Sequence, residues 1–302
     1  MASPSTDRPT TRLRRLLERP GLTLFPSAYD CISARVMEEA GFEALSLSGA
    51  GLAGSRLGLP DLGFLSFADM LDAGARVAAC VQIPLVVDGD TGYGNALNVI
   101  RAVREFERVG IAGVHFEDQE FPKKCGHVAG KVVVSSEEFV EKIRAAAEAR
   151  TDRDFIIIAR TDAIAVTGLA DAIDRGNRCA AAGADVVFLE APTTVAEVTT
   201  IAREVKAPLL YNLATGGKSP ALSARQLEDL GYKLAVVPTL GMGPAIHAMR
   251  QAAQTARETG SDAHVAAMGF SPAAFFELFG MSEWRRLESR YVVRPGGGPA
   301  GR

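Results

Sequence analysis

Cysteine is sparse in this 302-residue chain, and none of it is paired by spacing. Cys31, Cys80, Cys125 and Cys179 are scattered, and no Cys-x-x-Cys occurs. That argues against a disulfide framework and makes free thiols in a reducing cytoplasm the simplest expectation. An excess of positive charge is also missing. The net charge is -3, which speaks against a nucleic-acid binder. No apolar run approaches the ~20 residues that span a bilayer. Residues 1–20 are rich in Arg, Ser, Thr and Pro but lack the apolar stretch of a secretory signal. Their bias resembles a transit peptide only faintly, because Asp7, Glu18 and the early prolines run against it. No Gly-x-Gly-x-x-Gly follows a strand-like run, which weakens a dinucleotide-binding fold.

What is present is enough apolar sequence for one large core: 47% of residues are hydrophobic and 23% charged. Short β-branched runs recur at 22–25, 44–47, 85–88, 113–117, 155–160, 185–190, 208–212 and 234–238, separated by helix-like segments. Continuous apolar strands alternating with amphipathic helices mean a parallel sheet covered by helices. Eight such units favour a closed (β/α)₈ barrel over an open doubly wound sheet. Ser136 offers an N-cap to a helix carrying Phe139, Ile143 and Ala147 at helical spacing. Gly41, Gly110, Gly183 and Gly231 fit helix C-caps with positive φ. We expect a flexible N-terminal arm over 1–18, the barrel over 19–260, C-terminal helices over 261–292 and a flexible Gly-Pro-rich tail over 293–302. The helices expected at 272–278 and 283–291 bring Phe275, Phe276, Leu278, Phe279 and Trp284, an apolar surface that needs cover from the barrel or a neighbouring subunit.

The ends of the strands are polar. They carry Ser48-Gly49-Ala50-Gly51, Asp88-Gly89-Asp90, Glu117-Asp118, Arg160-Thr161-Asp162, Glu190 and Asn212. In a (β/α)₈ barrel these converge on one rim, and the long connections 48–84 and 118–154 are candidate lids. A ring of carboxylates with one arginine suits a hard divalent cation such as Mg²⁺ and an anionic substrate. Zn²⁺ fits less well, because only one His and one Cys lie close together. Plainer readings exist: Asp88 and Asp90 as turn formers, Glu117 and Arg160 as structural ion pairs, Cys125 as an inert thiol. Lys123, Lys124 and His127 surround Cys125 and predict an electropositive setting that lowers its pKa.

The run Lys123-Lys124-Cys125-Gly126-His127, after Phe116-Glu117-Asp118-Gln119, resembles the signature of the isocitrate lyase / phosphoenolpyruvate mutase superfamily. Ordered matches extend over about 200 residues. They include Pro26-Ser27-Ala28-Tyr29-Asp30, Gly58-Leu59-Pro60-Asp61-Leu62-Gly63, Asp88 to Gly94, Ile158 to Asp162, and Asn212 to Pro220. The resemblance implies a (β/α)₈ barrel, often tetrameric, with C-terminal helices exchanged between subunits. It implies a Mg²⁺ shell (Mn²⁺ as a substitute) of Asp88 with Asp61, Asp90 and Glu117, some through water. Ser48, Gly49 and Ala50 would hold the keto-acid end of a substrate, together with Asp88. Arg160 would pair with a substrate oxygen or carboxylate. Gly126, His127, Asn212 and Ser219 would bind the departing acid, Glu190 would orient that region, and Cys125 would be the general acid.

Three positions depart from the family pattern. Thr215 stands where lyases usually carry Glu, Ser46 where many have Tyr, and His247 where methylisocitrate lyases have Arg. The missing Arg speaks against a tricarboxylate and favours a substituted malate. The leading expectation is a cytoplasmic, homotetrameric, Mg²⁺-dependent C–C lyase of small 2-hydroxy di- or tricarboxylates. It would release a keto acid such as pyruvate and a second carboxylic acid. The alternatives are oxaloacetate hydrolysis or decarboxylation, carboxyphosphonoenolpyruvate-type phosphonomutase chemistry, and a non-catalytic barrel that only binds a keto acid.

Overall fold

The computed structural model describes residues 7–292, so the expected tail lies outside the described residues. The chain forms two compact units, one up to Pro244 and one from Ala245. The division therefore falls before residue 260. Within the first unit strands and helices alternate. The strands are β1 (Thr23–Ala28), β2 (Leu45–Leu47), β3 (Leu85–Asp88), β4 (Gly113–Glu117), β5 (Ile156–Thr161), β6 (Val186–Leu189), β7 (Leu210–Asn212) and β8 (Leu234–Val237). Their order is β6-β5-β4-β3-β2-β1-β8-β7, with every pair parallel. A parallel bridge from Val187 to Leu209 joins β6 to β7 and closes the barrel.

The helices of this unit are α1 (Pro9–Glu18), α2 (Cys31–Glu39), α3 (Gly49–Leu52), α4 (Phe67–Cys80), α5 (Ala96–Arg108), α6 (Ser136–Ala149), α7 (Leu169–Ala181), α8 (Val195–Glu204) and α9 (Ala224–Asp229). Short polar side chains start many of them. Asp30, Ser66, Asn95 and Ser223 each close a capping box, satisfying first-turn N–H groups that the helix cannot. The cap of α6 is Ser135, which accepts from Glu138 N, one residue before the expected Ser136. Gly41, Gly110, Gly183 and Gly231 take φ of 88°, 84°, 112° and 93°, as their places after helices require.

Register sets what faces the barrel interior. Val86 pairs with Gly113 and Asp88 with His115, Ile158 pairs with His115 and Arg160 with Glu117, and Leu210 pairs with Leu234. Partners in a parallel ladder share a face, and side chains alternate with period two. The inward face therefore runs from apolar residues low in the barrel to Asp88, Glu117 and Arg160 at the strand ends. One buried cluster holds Phe25, Val86, Ile156, Ile158, Val186, Phe188, Leu210 and Leu234 together with Leu13, Leu16 and Leu17 of α1. The outward residues Leu45, Leu85, Val87, Val114 and Ile157 join a second cluster with the inner faces of the helices.

Helix α1 occupies 9–18 of the arm expected to be flexible over 1–18, and corrects that expectation there. Pro9 opens it where a missing N–H costs nothing. Leu13, Leu16 and Leu17 are at most 9% exposed. They plug the N-terminal end of the barrel, where Thr10 bonds Asp152 at 2.7 Å and Arg14 pairs with Asp185 at 2.8 Å. Arg12, Arg14 and Arg15, set among these leucines, obscure the apolar stripe in a reading by composition.

Helix α10 (Met242–Thr259) crosses the division between the units. In the second unit follow α11 (Ala263–Ala267), α12 (Pro272–Leu278) and α13 (Met281–Tyr291). Phe275 stacks edge-on with Phe276 at 5.5 Å and Phe279 at 5.4 Å. Phe276 and Trp284 are 47% and 67% exposed, so the apolar surface expected on these helices is present.

Candidate active site

The rim begins with the turn after β3. Asp88 ends the strand, and its Oδ1 accepts from Asp90 N at 3.0 Å. Asp90 and Tyr93 adopt φ of 45° and 61°, in the left-handed region that non-glycine residues rarely enter. Strain of this kind persists only where surrounding contacts impose it. The backbone of α3 lies directly against Asp88: a Cβ at Gly49 would fall 2.7 Å from Asp88 Oδ2. Ser48 caps this helix by accepting from Gly51 N at 3.0 Å.

A buried ammonium stands among the carboxylates. Lys123 Nζ lies 2.7 Å from Asp61 Oδ1 and 2.8 Å from Asp90 Oδ1, with its side chain 2% exposed. The Lys123 pKa is raised well above its usual value. Burial opposes this, and Asp88, Asp90, Glu117 and Asp61 outweigh it. Those are the four acids expected to surround a metal. The charge balance remains short of positive charge. Burial and the neighbouring Asp88 push Asp90 up to about 7. Burial raises Glu117 well above the carboxylate range against the pull of Arg160. Burial also acts on Asp88, but His115, Lys123 and Arg160 overcome it and bring it to about 2. Neither Glu117 oxygen makes a hydrogen bond, although Arg160 Nη1 lies 3.2 Å from Oε2. Buried, under-satisfied carboxylate oxygens call for a further cation.

The donor set fits Mg²⁺: all oxygen, negatively charged, and already holding a cation at Lys123. Among the described residues, no three His, Cys, Asp or Glu side chains converge closely enough to hold a metal by themselves.

Arg160 joins this group to the opposite side of the rim. It donates from Nε to Asp162 Oδ2 at 2.9 Å and lies 3.6 Å from Glu190 Oε2. Glu190 meets His127 Nε2 at 3.1 Å and accepts from Asn212 Nδ2 at 3.2 Å. Burial alone would raise the Glu190 carboxyl, but Arg160 and His127 hold it at about 2. The other His127 nitrogen accepts from Lys218 N at 3.1 Å. The Asn212 carbonyl oxygen is buried without a hydrogen bond and is therefore available to a ligand. The Ser219 hydroxyl is buried beside the Tyr211 hydroxyl.

Cys125, Gly126 and His127 sit at the turn of the segment after β4. The backbone of Gly126 presses on the charged pair: a Cβ there would lie 2.6 Å from Arg160 Nη2 and 2.5 Å from Glu190 Cγ. The expected lowering of the Cys125 pKa is not what the structure gives. Burial raises it, ahead of the opposing His127 backbone N–H. The lysines that were to lower it face elsewhere, Lys123 toward Asp61 and Asp90 and Lys124 toward the Gly130 carbonyl. A thiol kept protonated is a proton donor rather than a resting nucleophile.

Every expected site residue of β3 to β7 thus reaches the rim. Of the three departures, Ser46 is buried and faces inward on β2, while Thr215 and His247 are exposed. Sequence reasoning put Asp118 and Asp162 at the rim without giving them a role, and missed Lys123 as the resident cation and His115, whose Nδ1 lies 3.6 Å from Asp88. It also missed Lys131. A histidine inside the strand run 113–117 was a readable signal. The rest depend on contacts between distant segments. The cavity of about 370 Å³ lined by Leu65, Phe67, Tyr93, Arg101 and Phe121 takes in none of the expected site residues.

Comparison with known proteins agrees with this geometry. The phosphoenolpyruvate phosphomutase family model matches residues 13–258. The chain is 37% identical to 2,3-dimethylmalate lyase of Eubacterium barkeri, over 93% of this chain and 98% of that protein. It is 38% identical to 2-methylisocitrate lyase of Aeropyrum pernix, over 94% and 91%. A crystal structure of 2,3-dimethylmalate lyase superposes with a TM-score of 0.90 at 34% identity, covering 95% of this chain and 96% of that one.

Proposed function

We propose, from the premise that this chain belongs to the phosphoenolpyruvate phosphomutase family, that it is a Mg²⁺-dependent carbon–carbon lyase. Its substrate is a small 2-hydroxy dicarboxylate of the substituted-malate type, and its products are a keto acid such as pyruvate and a second carboxylic acid. The observation that carries this reading is a half-buried Cys125 thiol beside His127, with Gly126 between them packed on Arg160 and Glu190 and burial pushing the thiol pKa up.

Asp88, with Asp61, Asp90 and Glu117, would hold the ion. When bound, Mg²⁺ supplies positive charge against the substrate carboxylate and its 2-oxygen. Ser48 and the first-turn N–H groups of Gly49 and Ala50 orient that end, since α3 offers those donors no partner of its own. Arg160 is held by Asp162 and Glu117 and turns its remaining donors to the substrate. His127, Asn212 and Ser219 receive the departing carboxylate, with Glu190 fixing the imidazole. The 2-hydroxyl proton passes to a buried carboxylate of the rim, Asp90 or Glu117, as the C–C bond breaks; the 2-carbon becomes a ketone and the bonding electron pair stays on the carbon beside the second carboxylate. Cys125 gives its S–H proton to that carbon. In reverse the thiolate would remove it.

Histidine rather than arginine at position 247 supports a dicarboxylate over a tricarboxylate. The exposed Phe276 and Trp284 support a homotetramer, which sedimentation as a monomer would contradict. The four free thiols support the cytoplasm.

The test supplies Mg²⁺ and 2,3-dimethylmalate or 2-methylisocitrate and follows keto-acid release. The expected result is cleavage, faster with the dicarboxylate, that Cys125→Ser reduces to background. Oxalate plus acetate from oxaloacetate, or rearrangement of a phosphonate seen by phosphorus NMR, with no 2-hydroxy acid cleaved, would overturn it.

A further inference from the structure

The segment after β4 is a hairpin. Glu120 N donates to Val132 O at 2.9 Å, Val134 N to Asp118 O at 2.8 Å, and Gln119 bridges Val133. Near its base, Gln119 clamps Lys124, donating to its carbonyl at 2.8 Å and accepting from its N–H at 3.0 Å. Its turn carries Cys125, Gly126 and His127. On the return strand stands Lys131, whose side chain is 1% exposed. Its Nζ lies 2.7 Å from Asp162 Oδ1 and donates to the Gly126 carbonyl. Asp162 in turn holds Arg160 through Nε and Nη2.

A buried ammonium costs several kcal/mol unless it is paired and hydrogen-bonded. Here its partners are one carboxylate and the backbone of the residue between the thiol and the imidazole. Nothing in the hairpin ladder requires this, because Gln119 and the strand bonds already hold the base. We infer that Lys131 is a positioning residue of the reaction. Its ammonium ties the Gly126 peptide to Asp162 and so sets Cys125 and His127 against Arg160. The inference rests on Cys125 being the proton donor. It places the same acid, Asp162, in control of both the hairpin turn and the arginine orientation.

The experiment is alkylation of the full-length protein by iodoacetamide, read peptide by peptide by mass spectrometry, beside steady-state kinetics. In Lys131→Met the Cys125 alkylation rate should rise ~10-fold through local opening, while Cys179 in the core stays unreactive. With the preferred acid, kcat should fall ~100-fold, as expected for a reacting group misplaced by about an ångström, and KM should change far less. Lys131→Arg, which keeps the charge and two donors, should restore much of the protection and of kcat. Unchanged Cys125 alkylation in Lys131→Met would overturn the inference. So would equal exposure of Cys179, which would mark Lys131 as a general stabiliser. If Cys125 is exposed selectively but the wild-type chain cleaves no 2-hydroxy acid, the positioning role stands and the proposed reaction falls.

Discussion

The two ends of the barrel are built from the same eight strands and differ in almost everything else. At the N-terminal end, Val86, Ile156, Leu210 and Leu234 meet the three leucines of α1 in a buried, apolar plug. At the C-terminal end, two to four residues further along the same strands, Asp88, Arg160 and Asn212 face the same interior. The plug is stabilised by burial, at about 1.5–3 kcal/mol for each fully buried leucine. The rim instead holds buried charges whose mutual pairing only offsets their desolvation. Stability and chemistry are thus separated along the barrel axis, and substitutions at the two ends should behave differently.

The largest contrast is expected at the rim. Cys125→Ser should lower keto-acid release ~1,000-fold or more, the range of a lost general acid, with thermal unfolding nearly unchanged. Wild-type-like turnover in that variant would remove the assigned donor. Arg160→Met should affect both properties. It leaves Glu117, Asp162 and Glu190 without their shared cation, so denaturant unfolding should show a loss of about 3–5 kcal/mol together with loss of turnover. At the other end, Leu17→Ala should cost about 2–5 kcal/mol in the same unfolding experiment. Its kcat should stay within a few-fold of wild type. A large drop in kcat would show that the plug and the rim are coupled after all.

The smallest effect is a pH dependence. Glu190 is held at about 2 in the folded chain, below the ~4.3 of an unfolded glutamate. A depressed carboxyl stabilises the fold above the unfolded pKa, and that contribution is lost as pH falls toward the folded one. The stability difference between wild type and Glu190→Gln should therefore shrink between about pH 4 and pH 2, by on the order of 3 kcal/mol. A difference that stays constant over that window would mean Glu190 is not held by Arg160 and His127 as described.

Much of this contrast could be read before the structure. Runs such as 85–88 and 113–117 are β3 and β4 to the residue, because a strand buried on both faces is nearly all apolar and its first charged residue marks the rim. Helix α1 was hidden for the opposite reason. Its stripe of Leu13, Leu16 and Leu17 lies among arginines that read as a solvated arm. The Cys125 setting was misjudged because neighbours in sequence were taken as neighbours in space. Lys123 and Lys124 are adjacent to the thiol in the chain, yet their ammonium groups pair with Asp61, Asp90 and the Gly130 carbonyl.

The sequence by itself determined the barrel, the acids and arginine at its rim, and the thiol between a lysine pair and a histidine. These follow from local pattern and motif, which fold with period two or near 3.6 whatever lies across the core. Only the tertiary structure decided which cation each acid faces, that Lys131 reaches both Gly126 and Asp162, and that burial raises rather than lowers the Cys125 pKa. Burial and charge pairing depend on residues far apart along the chain, so they exist only once the strands have closed.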